Sequence, residues 1–171
     1  MPIPKKVVGY LKKAKIKFEG IGHKTVYTAY DLAQTLKKDL KDIAKTLIVK
    51  ADSAYKLVVV PATSRLDLKK LKKVLGAKSL SIIDEKTMAK VFKVKPGAIS
   101  AFGALHKVGT VVDKSLLKAK EAVFQVGTFT DSVKMKVKDF IGLENAQLGD
   151  FSQKAGYTLQ KITKKKTKKK K

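Results

Sequence analysis

The hydrophobic positions in the first part of the chain follow helical spacing. After Pro4, apolar residues recur on one helix face as far as Ala14, and lysines cover the opposite face. A second short helix is predicted after Thr28, because its hydroxyl and the carboxylate of Asp31 can satisfy the free amides of a first helical turn. Two amphipathic surface helices are therefore expected before residue 40.

Two nearly continuous aliphatic runs follow, at Thr46–Val49 and Leu57–Val60. Runs of this kind are typical of strands that are buried on both faces. The polar segment 51–55 between them is short enough for the loop of a hairpin. The two runs predict the centre of a β-sheet.

The second half of the chain alternates between helix and strand patterns. Asp67 and Gly76 are placed to begin and end a helix, and Asp84 to begin another that Pro96 and Gly97 interrupt. Further strands are predicted at Leu80–Ile83, Val108–Val112, Ala122–Val126 and 133–137, with a closing helix at Asp139–Leu143. Since no regular βαβ repetition is present, the predicted fold class is α+β: a single domain with a mixed or antiparallel β-sheet core flanked by helices.

The length of 171 residues, 44% of them hydrophobic, suits one globular core. We expect a domain over residues 1–150 and a basic, disordered lysine-rich tail over residues 151–171, because lysine and threonine bury too little surface to offset the entropy of ordering. The sequence contains neither an apolar run long enough to span a membrane nor an apolar signal segment. A soluble, cytoplasmic protein with no membrane partner is expected.

The charge is strongly unbalanced, with 39 Lys+Arg against 14 Asp+Glu and a formal net charge of +25. A polyanionic partner is the natural inference. Nearly all of the excess is lysine, which contacts phosphate as a point charge rather than reading base edges with a fork of donors. The charge therefore favours attraction to a nucleic-acid backbone, and a basic surface without a particular ligand is the alternative.

The residue types exclude several kinds of chemistry. Cysteine is absent and only two histidines are present, so no disulfide, thiolate nucleophile or metal site is expected, and no cofactor. There is no Ser-His-Asp signature, P-loop or dinucleotide-binding glycine motif. Asp113, at a predicted strand end, is interpreted as a turn or cap residue rather than a general base. An enzyme with this sequence has to use backbone amides, lysines or the substrate itself.

Several sequence blocks then point to one family. Lys45-Thr-Leu-Ile-Val49 opens a buried strand, and it is followed in order by Tyr55–Ala62, Arg65-Leu-Asp67 and Pro96-Gly-Ala-Ile-Ser-Ala-Phe-Gly103. In this order, and over roughly Lys5 to Leu143, the chain resembles the YbaK/prolyl-tRNA-synthetase-associated family of aminoacyl-tRNA editing domains. The family's fold agrees with the α+β class predicted from the pattern.

The resemblance implies a set of site residues. Lys45 is the expected catalytic residue, placed at the mouth of an aminoacyl pocket to hold a phosphate or orient the ester carbonyl. The expected substrate-binding residues are Thr46, Gly97, Ala98, Ile99, Ser100, Ala101, Phe102, Gly103, Gly127 and His23. Ala101 stands where the family's loop has proline, and this departure leaves a looser loop and an open substrate choice.

The function implied is that of a trans-acting deacylase that hydrolyses the ester of mischarged tRNA, with Cys-, Ala- or similar small-residue tRNA(Pro) as substrate. Catalysis is expected to be substrate-assisted, with Lys45 and loop amides positioning the ester. The expected partner is the aminoacylated 3′ end of tRNA, and an aminoacyl-tRNA synthetase is a second candidate. One alternative is a non-catalytic basic RNA-binding protein with the same fold. A ribosome-associated or DNA-compacting protein is another, but it leaves the Lys45 strand and the glycine loop unexplained.

Overall fold

A computed structural model describes residues 3–95 and 98–154 of the chain. Within them the α-helices are α1 (Lys5–Lys13), α2 (Ala29–Leu36), α3 (Leu68–Leu75), the short α4 (Glu85–Thr87) and α5 (Val137–Glu144). The strands are β1 (Phe18–Gly22), β2 (Ala44–Ala51), β3 (Ala54–Pro61), β4 (Ser64–Leu66), β5 (Leu80–Ile82), β6 (Gly109–Asp113), β7 (Glu121–Gln125), β8 (Asp131–Lys136), β9 (Gln147–Gly149) and β10 (Ser152–Lys154).

The largest sheet has five strands in the order β5-β2-β3-β6-β9. It is mixed, because β2 runs antiparallel to β3 and β5 while β6 runs parallel to β3 and β9. A second, antiparallel sheet has the order β1-β8-β7, and β4 pairs with β10. The α+β class with a mixed sheet and flanking helices is therefore confirmed.

The central hairpin of β2 and β3 is buried on both faces, as its aliphatic runs predict. One face adds Ile48, Leu57 and Val59 to the main core, which also contains residues of α1, β7 and β8. The other face packs three valines of β2 and β3 against Leu71 of α3 and Phe151; these valines are Val49, Val58 and Val60. In the middle of each strand neither face is open to solvent. The two runs therefore lack the alternation of apolar and polar residues that a half-exposed strand shows.

Phenylalanine rings fill the centre of the main core. The rings of Phe124 and Phe140 stack with centroids 4.3 Å apart, and Phe102 meets Phe140 edge to face at 5.6 Å. Both arrangements are favourable for aromatic quadrupoles. Because Phe102 directly follows segment 98–101, this packing fixes where that segment runs.

The predicted helix caps are present. The amide of Asp31 donates to Thr28 Oγ1 at 3.0 Å, and the amide of Lys70 donates to Asp67 Oδ1 at 3.1 Å. Gly76 ends α3 with a φ of 62°, the left-handed conformation that glycine adopts at least cost. Asp139 instead lies within the first turn of α5, which Val137 begins, so the predicted start of that helix is two residues late.

The C-terminal end of the described chain belongs to the folded domain. Phe151 is fully buried, its amide donates to Asp113 Oδ1 at 2.7 Å, and β10 pairs with β4. Phe151–Lys154 are therefore not part of the tail predicted from residue 151. The remainder of that tail, residues 155–171, lies outside the described residues. None of the helices in segments 3–95 and 98–154 has the length and apolar character needed to cross a bilayer.

Candidate active site

The site begins where the two larger sheets meet, at the start of β2. Ile43 forms an isolated parallel bridge with Val123 of β7. Two residues further along both strands, Lys45 of β2 is level with Gln125 of β7. The carbonyl of Gln125 accepts a hydrogen bond from the amide of Ala101 at 3.0 Å. Segment 98–101 therefore reaches this junction, beside the residues at the start of β2.

Lys45 is half-buried at the junction. Its ammonium Nζ donates a hydrogen bond to the backbone carbonyl of Ser64 at 3.1 Å. Burial lowers the pKa of Lys45 below the ordinary lysine value, and the nearby charge of Arg65 lowers it further. An ammonium has three N–H donors, so this bond leaves donors for a ligand. A partly desolvated ammonium attracts an oxygen more strongly than one in bulk water.

Thr46 points to the opposite face of β2, since successive side chains of a strand alternate. Its side chain is only 8% exposed, and no described residue hydrogen-bonds Thr46 Oγ1. A buried hydroxyl without a partner costs about 1–3 kcal/mol. The structure therefore does not direct Lys45 and Thr46 into the same space, but it leaves the threonine hydroxyl with unused bonding capacity.

Segment 98–101 is buried throughout, and Gly127 packs against it. A Cβ on Gly127 would lie 3.7 Å from the carbonyl oxygen of Ala98 and 3.8 Å from Ser100 Cβ. Gly127 has a φ of 97°, a conformation that residues with a side chain rarely adopt. The structure thus brings Ala98, Ile99, Ser100, Ala101 and Gly127 together, whereas Gly97 lies outside the described residues.

The hydrogen bond of Ala101 changes the expected effect of the family's proline. Proline has no backbone N–H, so it cannot make the 3.0 Å bond from residue 101 to the Gln125 carbonyl. A proline at this position is therefore expected to lose a buried backbone bond as well as to stiffen the loop. The small residue at position 101 is compatible with the way this chain attaches the loop to β7.

Phe102 and Gly103 are core residues rather than exposed pocket walls. The ring of Phe102 packs edge to face against Tyr10 as well as Phe140. A Cβ on Gly103 would overlap the Thr110 hydroxyl and lie 2.9 Å from the carbonyl oxygen of Val108. These two residues hold the loop against β6 and the core.

His23 is held through both ring nitrogens. Its Nδ1 lies 2.8 Å from the carbonyl of Lys24 and its Nε2 lies 3.0 Å from Ser132 Oγ. Because a carbonyl oxygen only accepts, the neutral ring carries its proton on Nδ1, and Nε2 accepts from the serine hydroxyl. His23 therefore lies beside the turn between β7 and β8, where Gly127 is also found, and both of its ring nitrogens have partners within the protein.

Asp131, at the end of that turn, is a buried residue that the sequence pattern did not mark. Its carboxylate is only 3% exposed and accepts a hydrogen bond from Thr130 Oγ1 at 2.8 Å, while its amide donates to Thr128 Oγ1 at 3.1 Å. The signal in the sequence is the polar run Thr128-Phe-Thr-Asp-Ser132 directly after Gly127. A surface turn has the same composition, so the pattern alone did not mark a buried carboxylate.

Asp113 has a structural role, as predicted. Burial by itself raises the pKa of this carboxyl, but hydrogen bonds from the Phe151 amide, Ser115 and Ser152 outweigh burial and leave the pKa below its ordinary value. These donors occupy both carboxylate oxygens. Asp113 ties the C-terminal segment to β6 and is not available as a base. Across the described parts of the chain, no three acidic, histidine or cysteine side chains are grouped as metal ligands.

The described chain is thus a small α+β domain whose candidate site has a half-buried lysine at the start of β2 beside a buried loop. On the opposite face of β2 lies a threonine whose hydroxyl no described residue hydrogen-bonds. The family model described as "Aminoacyl-tRNA editing domain" matches residues 23–143. The chain belongs to this family, and the family predicted from the sequence blocks is confirmed.

Two relatives carry related descriptions. The prolyl-tRNA editing protein ProX of Acetoanaerobium sticklandii is 31% identical over 117 residues, which cover 65% of this chain and 71% of that protein. A proline–tRNA ligase of Thermosipho melanesiensis is 34% identical over 98 residues, covering 57% of this chain. The match spans only 17% of that ligase, so it concerns one part of a much longer protein.

Solved structures support the fold. The crystal structure of a hypothetical protein matches with a TM-score of 0.80 and 20% identity, covering 87% of this chain and 100% of that one. A candidate trans-editing enzyme for prolyl tRNA synthetase matches with a TM-score of 0.74 and 22% identity, covering 87% and 96%. At these identities the likeness concerns the fold alone.

Proposed function

We propose that the chain is a trans-acting deacylase that hydrolyses the ester of mischarged aminoacyl-tRNA, with Cys-, Ala- or a similar small residue on tRNA(Pro) as substrate. The observation that carries the proposal is the editing-domain match over residues 23–143, which includes a half-buried Lys45 at the junction reached by segment 98–101. The similarity to the ProX editing protein over 71% of its length supports an enzyme that acts without an attached synthetase core.

Lys45 is the residue proposed to position the ester. Its bond to the Ser64 carbonyl fixes the ammonium, so the remaining N–H groups are pre-oriented for the ester carbonyl or the terminal phosphate. Donors that are held in place before the reaction stabilise developing negative charge without reorganisation. The lowered pKa of Lys45 reflects a site where such an interaction is stronger than in water.

Backbone amides of the loop are the second proposed source of donors. The amides of Ala98, Ala101 and Phe102 already donate to Lys95, Gln125 and Ser100 respectively. Among the described loop residues, Ile99 and Ser100 are the ones whose amides are proposed to face the ester, and the role of Gly97, which lies outside the described residues, stays a prediction from the sequence. The set of loop residues whose amides are proposed to contact the ester is therefore smaller than the set expected from the sequence.

The attack itself is proposed to be assisted by the substrate. His23 uses both nitrogens, and Asp113 uses both oxygens, in bonds within the protein. A terminal hydroxyl of the tRNA, or the thiol of a cysteinyl group, is proposed to assist the attack of water on the ester carbonyl, which breaks the ester bond and releases the amino acid and the free terminal hydroxyl of the tRNA. A site that admits small residues gives a synthetase a second sieve, since binding alone separates side chains that differ by one methylene by only about 1–3 kcal/mol.

The proposal is tested with a panel of tRNA(Pro) charged with cysteine, alanine, serine or proline. We expect single-turnover hydrolysis of at least one of the three wrong esters at well above the rate without protein, and sparing of the prolyl ester. Tight binding of the tRNA with no hydrolysis of any ester would instead support the non-catalytic RNA-binding alternative.

A further inference from the structure

An exposed aromatic pair lies beside the site. Tyr27 is 65% exposed, and its ring centroid lies 5.0 Å from that of Phe129 with the planes tilted by 56°. Among the large hydrophobic side chains of the described residues, that of Tyr27 is the most exposed. Phe129 is half-buried and supports the tyrosine ring from one side, so the remaining ring surface of Tyr27 is open to a ligand.

Backbone hydrogen bonds hold the two residues in place. The amide of Val26 donates to the carbonyl of Phe129 at 2.9 Å, and the amide of His23 donates to the carbonyl of Thr130 at 2.8 Å. The turn that carries Phe129 is braced by the bond from the Asp131 amide to Thr128 Oγ1. The pair is therefore presented on a fixed segment, which reduces the entropy lost when a ligand stacks on it.

The position of the pair links it to the candidate site. The turn with Phe129 starts at Gly127, which packs against Ala98 and Ser100 of the buried loop. Lys24, exposed and three residues before Tyr27, adds a positive charge to the same segment. An aromatic ring next to a lysine is the combination that single-stranded nucleic acid binds, with a base on the ring and a phosphate near the charge.

We propose that Tyr27, backed by Phe129, is a stacking platform for an unpaired base at the 3′ end of the RNA substrate. The inference rests on the proposed function, because it assumes that an RNA 3′ end enters the site beside segment 98–101. Stacking on a ring tolerates any base, so the platform contributes affinity and position and does not read sequence. Lys24 contributes an electrostatic contact that depends on salt.

The test uses an RNA hairpin with a single-stranded ACCA end that carries 2-aminopurine, a fluorescent adenine analogue, at the last position. We expect the wild-type protein to quench this fluorescence by stacking. Tyr27→Ala is expected to abolish the quenching and to weaken binding about five- to a hundredfold, whereas Tyr27→Phe keeps the ring and both properties. Leu117→Ala, at a residue that is 39% exposed, is the matched control and should bind as the wild type does.

The salt dependence of RNA binding distinguishes the contribution of the Tyr27 ring from that of the Lys24 charge. Tyr27→Ala should leave the slope of log K against log salt unchanged, whereas Lys24→Ala should flatten it by up to about 0.7 for one lost phosphate contact to a single strand. Unchanged affinity and quenching in Tyr27→Ala, or no quenching by the wild type, would overturn the platform. Quenching by a wild-type protein that hydrolyses no mischarged tRNA would support the platform and reject the deacylase.

Discussion

At the scale of single residues, Lys45 and Thr46 are neighbours at the start of β2 whose side chains have different surroundings. The lysine side chain leaves β2 towards Ser64 and Arg65, and the threonine side chain leaves it towards the main core. Neither environment is what stability alone would select: one is a partly desolvated charge and the other a buried hydroxyl with no partner in segments 3–95 and 98–154. Such departures from a satisfied interior are concentrated at functional sites.

The lowered pKa of Lys45 gives a prediction for stability against pH. In the folded state the amine of Lys45 loses its proton at lower pH than in the unfolded state, where its pKa has the ordinary value of 10.5. Between the two values the unfolded state binds more protons, so folding becomes more favourable as pH rises. We expect the unfolding free energy of the wild type, relative to that of Lys45→Met, to increase as the pH rises towards about 10. Urea titrations of both proteins measure this difference. A constant difference from neutral pH upward would show that burial does not perturb this amine.

Thr46→Val separates stability from function. The substitution keeps the shape of the side chain and removes a hydroxyl that has no partner among the described residues, so the protein should be unchanged or more stable by up to about 1 kcal/mol. If the hydroxyl contacts the substrate, the saturated deacylation rate or the KM worsens in the same variant. Thr110→Val is the control, because its hydroxyl donates to Glu144 and its loss should destabilise. A destabilised Thr46→Val would mean that the hydroxyl has a partner.

The sequence could mark Lys45 as a candidate because a lysine at the start of an aliphatic strand, in the family's block order, is recognisable without coordinates, and its catalytic role stays a prediction. It could not show that Thr46 Oγ1 lacks a partner among the described residues or that Asp131 is buried. Both facts depend on which segments approach from elsewhere in the chain, as the threonines of the β7–β8 turn do at Asp131. Long-range packing of this kind leaves no periodic signal.

At the scale of elements, the junction of β2 and β7 organises the site. The isolated bridge between Ile43 and Val123 aligns the strand starts, and the bond from Ala101 to Gln125 attaches the loop beyond it. The long, doubly buried hairpin of β2 and β3 could be predicted from its composition. The short strands β1, β4, β9 and β10 could not, because three to five residues, including two glycines in β1, carry no readable alternation.

The turn between β7 and β8 depends on the backbone conformation of Gly127. Its φ of 97° is unfavourable for any residue with a Cβ, so Gly127→Ala should destabilise the domain by about 1–2 kcal/mol and disturb the turn that meets the loop. Gly142→Ala is the matched control, since that glycine is inside α5 with nothing within 4 Å of an added Cβ, and it should stabilise by about 0.5–1 kcal/mol. Thermal unfolding and deacylation of both variants measure the difference, and equal stability of the two would contradict the assigned backbone strain.

At the scale of the whole molecule, charge is the dominant property. The chain carries 39 Lys+Arg against 14 Asp+Glu, and eight of the eleven residues in Lys161–Lys171 are lysine. The proposed tRNA substrate carries a dense row of phosphates, so a general positive field increases the rate of encounter and the affinity at low salt. In the proposed mechanism the chemical step depends on Lys45 and the loop and not on this field.

Removal of the tail should therefore change binding and leave the chemical step unchanged. A chain ending at Gln160 lacks eight lysines. We expect it to bind tRNA more weakly with a flatter dependence of log K on log salt, by about 0.7–0.9 for each lost phosphate contact. The single-turnover rate at saturating protein should equal that of the full chain. Unchanged affinity and slope would indicate a tail that acts only on solubility, and a lower saturated rate would place the tail in the active site.

The most direct test of the central claim is the single-turnover hydrolysis of a mischarged tRNA(Pro) by the wild type, Lys45→Ala and Lys50→Ala. Both lysines are on β2, but Lys50 is exposed and lies beyond the junction with β7. We expect hydrolysis by the wild type, at least a tenfold lower rate for a folded Lys45→Ala, and no change for Lys50→Ala. Wild-type activity in folded Lys45→Ala, checked by circular dichroism, would contradict the placement of the active site at the start of β2.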